Sequence, residues 1–362
     1  MPITLIRNAS WIVAYDAKSK GHVYLRDGDV AYDGGRIVHV GGDFKGKADA
    51  TIDGRGKMVM PGLVNIHSHP SSEAMCKGWN DELGSAKMYG TALYEFMPLF
   101  RCDAQGVKSC AQVTYSELLM SGVTTLVDMS VAWDGWLETF KASGLRAVFS
   151  PMYRSARWYT DNGHLAKYEW DEKGGQAAMA AAMKLLDQVA ADDTGRLSGM
   201  VSPSQIDTCS AELIQASYAE AEKRKVPFQI HAAQSVVEFH EITRRHGMTP
   251  VEWLESLDVL GPFSIIGHGI FLDHHSSVKW PATDDLGCLV ETGTNVAHCP
   301  IVFQRRGIAM QSFGQYVAAG VNVGIGTDTY PHHMLEELRA VCIGSRMMAE
   351  DVYDLRTSDA FN

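Results

Sequence analysis

Residues 118–128 read LLMSGVTTLVD, residues 140–150 read FKASGLRAVFS, and residues 316–328 read YVAAGVNVGIGTD. Each stretch closes a helix-forming run on a glycine (Gly122, Gly144 or Gly320) and passes at once into a short apolar strand. Glycine suits the left-handed residue that ends a helix. Three copies of one junction imply a repeated helix-to-strand unit. Working outward, eight short runs rich in Val, Ile, Leu or Phe fall at 59–67, 123–128, 146–152, 198–204, 227–232, 263–269, 294–298 and 321–327. Unbroken apolar strands separated by helical segments predict a parallel sheet covered on its outside. Thr249-Pro250-Val251-Glu252 supplies a capping box with proline at the first helical position. The fold class is therefore α/β, a (β/α)8 barrel of the TIM type spanning residues 59–350.

The first 58 residues differ. They alternate short apolar runs with turn signals, and Asp33-Gly34-Gly35 and Asp53-Gly54 read as hairpin turns. Residues 1–58 are expected to form a small β element, part of a sandwich. The chain of 362 residues is 46% hydrophobic and 21% charged, ordinary for a soluble enzyme. A formal charge of −11 excludes a nucleic-acid partner, because no basic stripe offsets phosphate. No run approaches the length of a membrane span, and the first residues lack a signal-peptide pattern. Seven cysteines form no CxxC pair, which favours a reduced, cytoplasmic setting. A homo-oligomer, a dimer by base rate, is expected.

The chemistry is carried by polar residues that end otherwise apolar strands. His67 and His69 close the first strand in VNIHSHP, two apart and hence on one face. His231 ends the fifth strand in FQIHAAQ, His268 the sixth in IIGHG, and Asp328 the eighth in GIGTD. All these ends lie at one face of a barrel. His67, His69, His231 and Asp328 are the predicted ligands of one divalent metal, Zn²⁺ first, with Fe²⁺, Co²⁺ and Mn²⁺ as alternatives. Such an ion lowers the pKa of a bound water towards neutrality. Asp328 is placed to take a proton from that water, and His268 to stand beside it. A second metal would need a modified lysine at the end of strand 4, where the sequence reads VSPSQ.

Two connections are long, 68–103 and 153–175. They carry Trp79, Tyr89, Tyr94 and Phe96, then Tyr153, Arg157, Trp158 and Tyr159. Long loops at strand C-termini shape barrel pockets. Trp79 and Tyr153 are expected to contact a small-molecule substrate, as is His298 in VAHCP.

The motifs MVMPGLVNIHSHP, SGVTTLVDM, IHAAQ, IIGHGIFLD, VAHCP and AAGVNVGIGTD together resemble the amidohydrolase superfamily. The nearest branch is the cytosine-deaminase-like one, with adenosylhomocysteine and guanine deaminases and triazine hydrolases. The resemblance implies a barrel flanked by a β-sandwich, a metal-activated water and a nitrogen-heterocycle substrate losing ammonia, an amine or chloride. It carries His67, His69, His231 and Asp328 over as ligands and His268 as the strand-6 histidine. Two departures stand out. The deaminase pattern HxxE has Gln234 in place of its glutamate, and glutamine holds a substrate without shuttling protons. That opens a second reading, an amide, urea or carbamate hydrolase. A third is a non-catalytic metal-binding barrel. The other departure is VFQRRG after HCP, whose Arg305 and Arg306 suit a polar or anionic group. Relatives also add a helix and strands that complete the sandwich. This chain stops at LRTSDAFN, so residues 351–362 are expected to be the truncated start of that return segment.

Overall fold

A computed structural model describes residues 2–19, 21–281 and 284–362. Contacts divide the chain into two compact units, one running up to Gly62 and including Phe361 and Asn362, the other Leu63–Ala360.

The first unit is one five-stranded sheet. Ile3–Asp16, Gly21–Asp33 and Arg36–Val40 form an antiparallel meander. Asp33-Gly34-Gly35 is the expected hairpin turn, with Gly34 at φ 55°. Asp53-Gly54 is not a hairpin. Ala50–Asp53 and Met58–Val59 both run parallel to the first strand, along successive parts of it. Gly54 is needed there for approach: a Cβ would stand 2.8 Å from the Ala9 nitrogen, and the Gly54 nitrogen donates to the Arg7 carbonyl at 2.7 Å. Phe361 packs its ring 4.7 Å from that of His22, whose Nδ1 lies 2.6 Å from the Asn362 side-chain oxygen.

The second unit holds the eight parallel strands: β1 Leu63–Ser68, β2 Val123–Ser130, β3 Arg146–Tyr153, β4 in two pieces (Leu197–Gly199 and Ser202–Pro203), β5 Phe228–Ala232, β6 Ser264–His268, β7 Asn295–His298 and β8 Val323–Ile325. β1 begins at Leu63 rather than at residue 59, because Val59 pairs in the other sheet and Pro61 offers no backbone N–H. β1 to β4 form one ladder and β5 to β8 another. Isolated parallel bridges join them, Val201 with Phe228 and Gln205 with His231 on one side, Ser68 with Asp328 on the other. The helices end as the junctions predicted: Gly144 and Gly320 are left-handed caps, and Gly122 sits just past its helix at φ 87°. The capping box at Thr249 is present.

Strand alternation separates two layers. Leu126, Phe149, Phe228 and Ile266 pack outward in one core with Leu118, Phe140, Ile214 and Leu289 of the helices. Ile66, Val127, Val148, Met200 and Ile265 fill the centre as a separate cluster. The barrel is thus plugged below its C-terminal rim. Among the described residues, no helix is long and apolar enough to cross a membrane.

One buried carboxyl ties helix caps to a loop. Asp285 accepts from the Thr249 hydroxyl at 2.5 Å and from the Asp273 nitrogen at 2.8 Å. Burial pushes it up from 3.8 to about 7, only partly offset by those bonds. A raised carboxyl keeps its proton in the folded chain where the unfolded chain has lost it. Stability therefore falls as pH rises from about 4 to about 7. Asp285→Asn is expected to make that decline shallower, read as denaturant midpoints across the window; identical slopes in the two proteins would exonerate Asp285.

Candidate metal centre

Three histidines reach the centre by strand geometry alone. His67 and His69 are two apart at the end of β1, and His231 is the fourth residue of β5. Each ring commits its Nδ1 to an oxygen. His67 Nδ1 stands 2.5 Å from Gln229 Oε1, His69 Nδ1 is 2.7 Å from the Met129 carbonyl, and His231 Nδ1 meets the Ser204 carbonyl. For His67 and His231 an oxygen acceptor holds the proton on Nδ1 and leaves the Nε2 lone pair facing inward, whereas Asp328 raises His69 and draws a proton onto its Nε2. His69 Nε2 lies 3.2 Å from both His231 Nε2 and Asp328 Oδ1. His67 Nε2 is buried with no hydrogen-bond partner. Nitrogens and a carboxylate oxygen at such separations are bridged by the His69 proton, in a place where a shared cation would do the same. His67, His69 and Asp328 offer ligand atoms within 4.8 Å of one another, as do His67, His231 and His268. The donor set, imidazoles plus one carboxylate, fits one divalent cation.

The eighth strand arrives through tight backbone contact. Asp328 N donates to the His67 carbonyl at 2.8 Å, and His69 N donates to the Asp328 carbonyl at 2.8 Å. Gly326 makes this approach feasible, since a Cβ there would lie 2.6 Å from His67 Cβ. Asn65 fastens the same seam, its Nδ2 donating to Thr327 Oγ1 at 2.9 Å and its Oδ1 accepting from Thr327 N at 3.1 Å. Asp328 and His268 both adopt left-handed backbone, φ 58° and 83°. Such conformations in non-glycine residues are strained and cluster at functional sites.

Burial governs the electrostatics. It lowers His67 to about 4, helped by the charge of His69, and pulls His231 and His268 well below their ordinary value. These rings are neutral, a state that metal binding requires of an imidazole ligand. Burial would raise the Asp328 carboxyl, but the His69 hydrogen bond and nearby histidines hold it well below the carboxylate range. His268 Nε2 lies 3.9 Å from Asp328 Oδ2, and its Nδ1 is buried without a partner.

Above the centre opens a cavity of about 440 Å³. His69, His231, His268, Asp328, Gln234 and Trp79 are on its wall. Gln234 is 5% exposed, and its side-chain nitrogen has no partner. Two expected substrate contacts are not on that wall. Tyr153 points the other way, into the outer core, and donates to Ser217 Oγ at 2.7 Å. Alternation explains this: its neighbours Met152 and Arg154 line the cavity instead. His298 is buried beside Phe313, away from the cavity surface. The long connections are also more ordered than plain loops. Residues 68–103 contain short helices at Pro70–Ser72, Glu73–Cys76, Ala86–Met88 and Leu93–Phe96; residues 153–175 hold a hairpin, Ala156–Tyr159 with Lys167–Trp170. Of the loop aromatics, Tyr89 is exposed and Tyr94 fully buried, its hydroxyl 3.1 Å from Ser235 Oγ.

Residues 58–362 match the model of the Amidohydrolase family. The chain belongs to that family. It is a metal-dependent hydrolase of carbon–nitrogen bonds. It is 27% identical over 346 residues to the 5′-deoxyadenosine deaminase of Methanothermobacter thermautotrophicus, covering 93% of this chain and 74% of that protein. It is also 27% identical over 317 residues to 5-methylthioadenosine/S-adenosylhomocysteine deaminase 2 of Archaeoglobus fulgidus, covering 87% and 70%. Atrazine chlorohydrolase of Arthrobacter aurescens TC1, solved with zinc, superposes with a TM-score of 0.76 at 21% identity, covering 95% of this chain and 77% of that one. That likeness speaks for the fold.

Gln229, Asn65 and Glu238 escaped the sequence reading. Gln229 and Asn65 each stand two before a histidine, on the same strand face, and polar residues in apolar strands were the available signal. Glu238 is buried and accepts from the Ala233 nitrogen at 2.6 Å, clamping the turn that presents Gln234. Gln229→Leu is expected to weaken metal binding about 10- to 100-fold while the thermal midpoint holds, measured by chelator competition; undiminished affinity would show that Gln229 does not orient His67.

Proposed function

We propose that this family member removes an exocyclic amino group hydrolytically from a purine-like nitrogen heterocycle, with a single Zn²⁺ held by His67, His69, His231 and Asp328. The carrying observation is the meeting of those side chains at the floor of a cavity large enough for such a ring. The deaminase names of the relatives support the reaction class. The metal, when bound, supplies Lewis acidity that makes a water nucleophilic at neutral pH.

The chain's own residues do the rest. The Asp328 carboxylate is ionised and faces the centre, so it accepts the proton the water gives up. His268, neutral and 3.9 Å from Asp328 Oδ2, orients that water and steadies charge developing on the attacked carbon's substituents. Gln234 donates its free N–H to a ring nitrogen and fixes the ring plane. Trp79, 6% exposed, closes the cavity against bulk water. Proton delivery to the leaving amine then falls to Asp328, which carries the proton it took.

Gln234 also favours a second reading. Amide, urea and carbamate hydrolysis builds charge on oxygen and needs no proton on a ring nitrogen. The two readings separate by measurement. Asp328→Asn is expected to abolish turnover and metal retention together, seen by elemental analysis beside an ammonia assay; full turnover would remove Asp328 from the mechanism. Gln234→Glu is expected to raise the rate of ammonia release from aminopurines about tenfold or more, within the span of general acid catalysis. A slower variant beside a fast wild type would mean that proton delivery never depended on this position.

A further inference from the structure

A chain with a formal charge of −11 sets three arginines, Arg101, Arg154 and Arg306, around one cavity. Among the described residues of the wall, two carboxylates face them. Asp103 is occupied by the Gln105 and Gly106 nitrogens, and Asp328 belongs to the metal centre. The metal adds further positive charge. The cavity is thus a cationic pocket in an acidic protein, and its wall is complementary to an anion.

Arg306 differs from the other two in having buried guanidinium nitrogens without hydrogen-bond partners. Its neighbour Arg305 reaches Asp81 at 3.5 Å. Among the described residues, none receives a hydrogen bond or ion pair from the Arg306 guanidinium, and Nε and Nη2 are buried without partners. The Trp79 ring lies 5.9 Å from the charge, and Asp328 and Asp81 act on it without an ion pair. Burial and Arg305 lower the group to about 10, so it stays a cation at neutral pH. Leaving a buried cation unpaired is costly. A structural role would have supplied an acid, as it did for Arg305. Nε and Nη2 also form the side-on edge of the guanidinium, the edge that accepts a planar oxyanion through two parallel bonds.

We propose that Arg306 selects a substrate bearing a carboxylate or equivalent planar oxyanion, bound side-on in the cavity beside the metal centre. Gln234, on the same wall, adds a side-chain N–H without a partner. Substrate choice is then made by charge as well as by ring shape. Neutral aminopurines are weak ligands, and acidic ones are held.

The inference rests on the deaminase reading for the scaffold of its probes. Two acid–amide pairs are measured by calorimetry on the metal-loaded protein: adenine-2-carboxylate against adenine-2-carboxamide, and adenosine-5′-carboxylate against adenosine-5′-carboxamide. In at least one pair the acid is expected to bind about tenfold tighter or more, as a charge-assisted pair implies. That gain is expected to vanish in Arg306→Met and to survive in part in Arg306→Lys. The pair that shows it locates the oxyanion on the substrate. Equal affinities within both pairs, or an acid preference that persists in Arg306→Met, overturns the proposal. Ammonia release from the neutral members without any acid preference keeps the deaminase reading and removes this one. Acid preference without ammonia release from any member removes the deaminase reading and keeps this one. Binding of none of the four removes both.

Discussion

The seam between β1 and β8 carries the rest of the structure. Two backbone bonds, Asp328 N to His67 O and His69 N to Asp328 O, join the first and last strands of the barrel. The same residues bear three of the four proposed ligands. Ring closure and site assembly are therefore one event. Gly326 and Asn65 serve the seam from either side, one by leaving out a side chain and the other by filling hydrogen-bond needs. Each strand of the pair is short, so the seam holds through a few well-placed bonds rather than through a long ladder.

Electrostatics imposes a second constraint. Four imidazoles crowd together, with ring centroids 4.7 to 5.3 Å apart. Charging several would be prohibitive in so buried a place. Burial keeps His67, His231 and His268 neutral, and one carboxylate, Asp328, supplies the negative charge of the cluster. The oxygens of Gln229, Met129 and Ser204 decide which nitrogen points inward. Tautomer as well as ring position fits these side chains for the proposed ligand roles.

Most of this was legible in the sequence because it is periodic or terminal. Apolar strands with glycine-closed helices before them gave the barrel, and the polar residue ending a strand marked each site position. Two-residue alternation put His67 and His69 together. The same rule turns Tyr153 into the outer core, with its neighbours Met152 and Arg154 facing the cavity in its stead. Asp53-Gly54 misled because a turn dipeptide looks alike in a hairpin and in a strand that breaks and continues along one edge. His298 ends its strand like the others, but β7 delivers it into a buried place beside Phe313 rather than onto the cavity wall. Sequence has no means of reading where a buried ring stops short of a cavity. Glu238 was unreadable for a similar reason: its partner is a backbone nitrogen, which every residue has.

The seam has a consequence for biosynthesis. His67 leaves the ribosome long before Asp328, by roughly 10 to 50 seconds at ordinary elongation rates. Through that interval the nascent chain holds imidazoles without their carboxylate, and the half-ring they sit in has an open edge. On the proposed ligand set, complete coordination has to await the final strand. Loading with metal is thus a late checkpoint on manufacture, passed only by chains whose barrel has already come full circle.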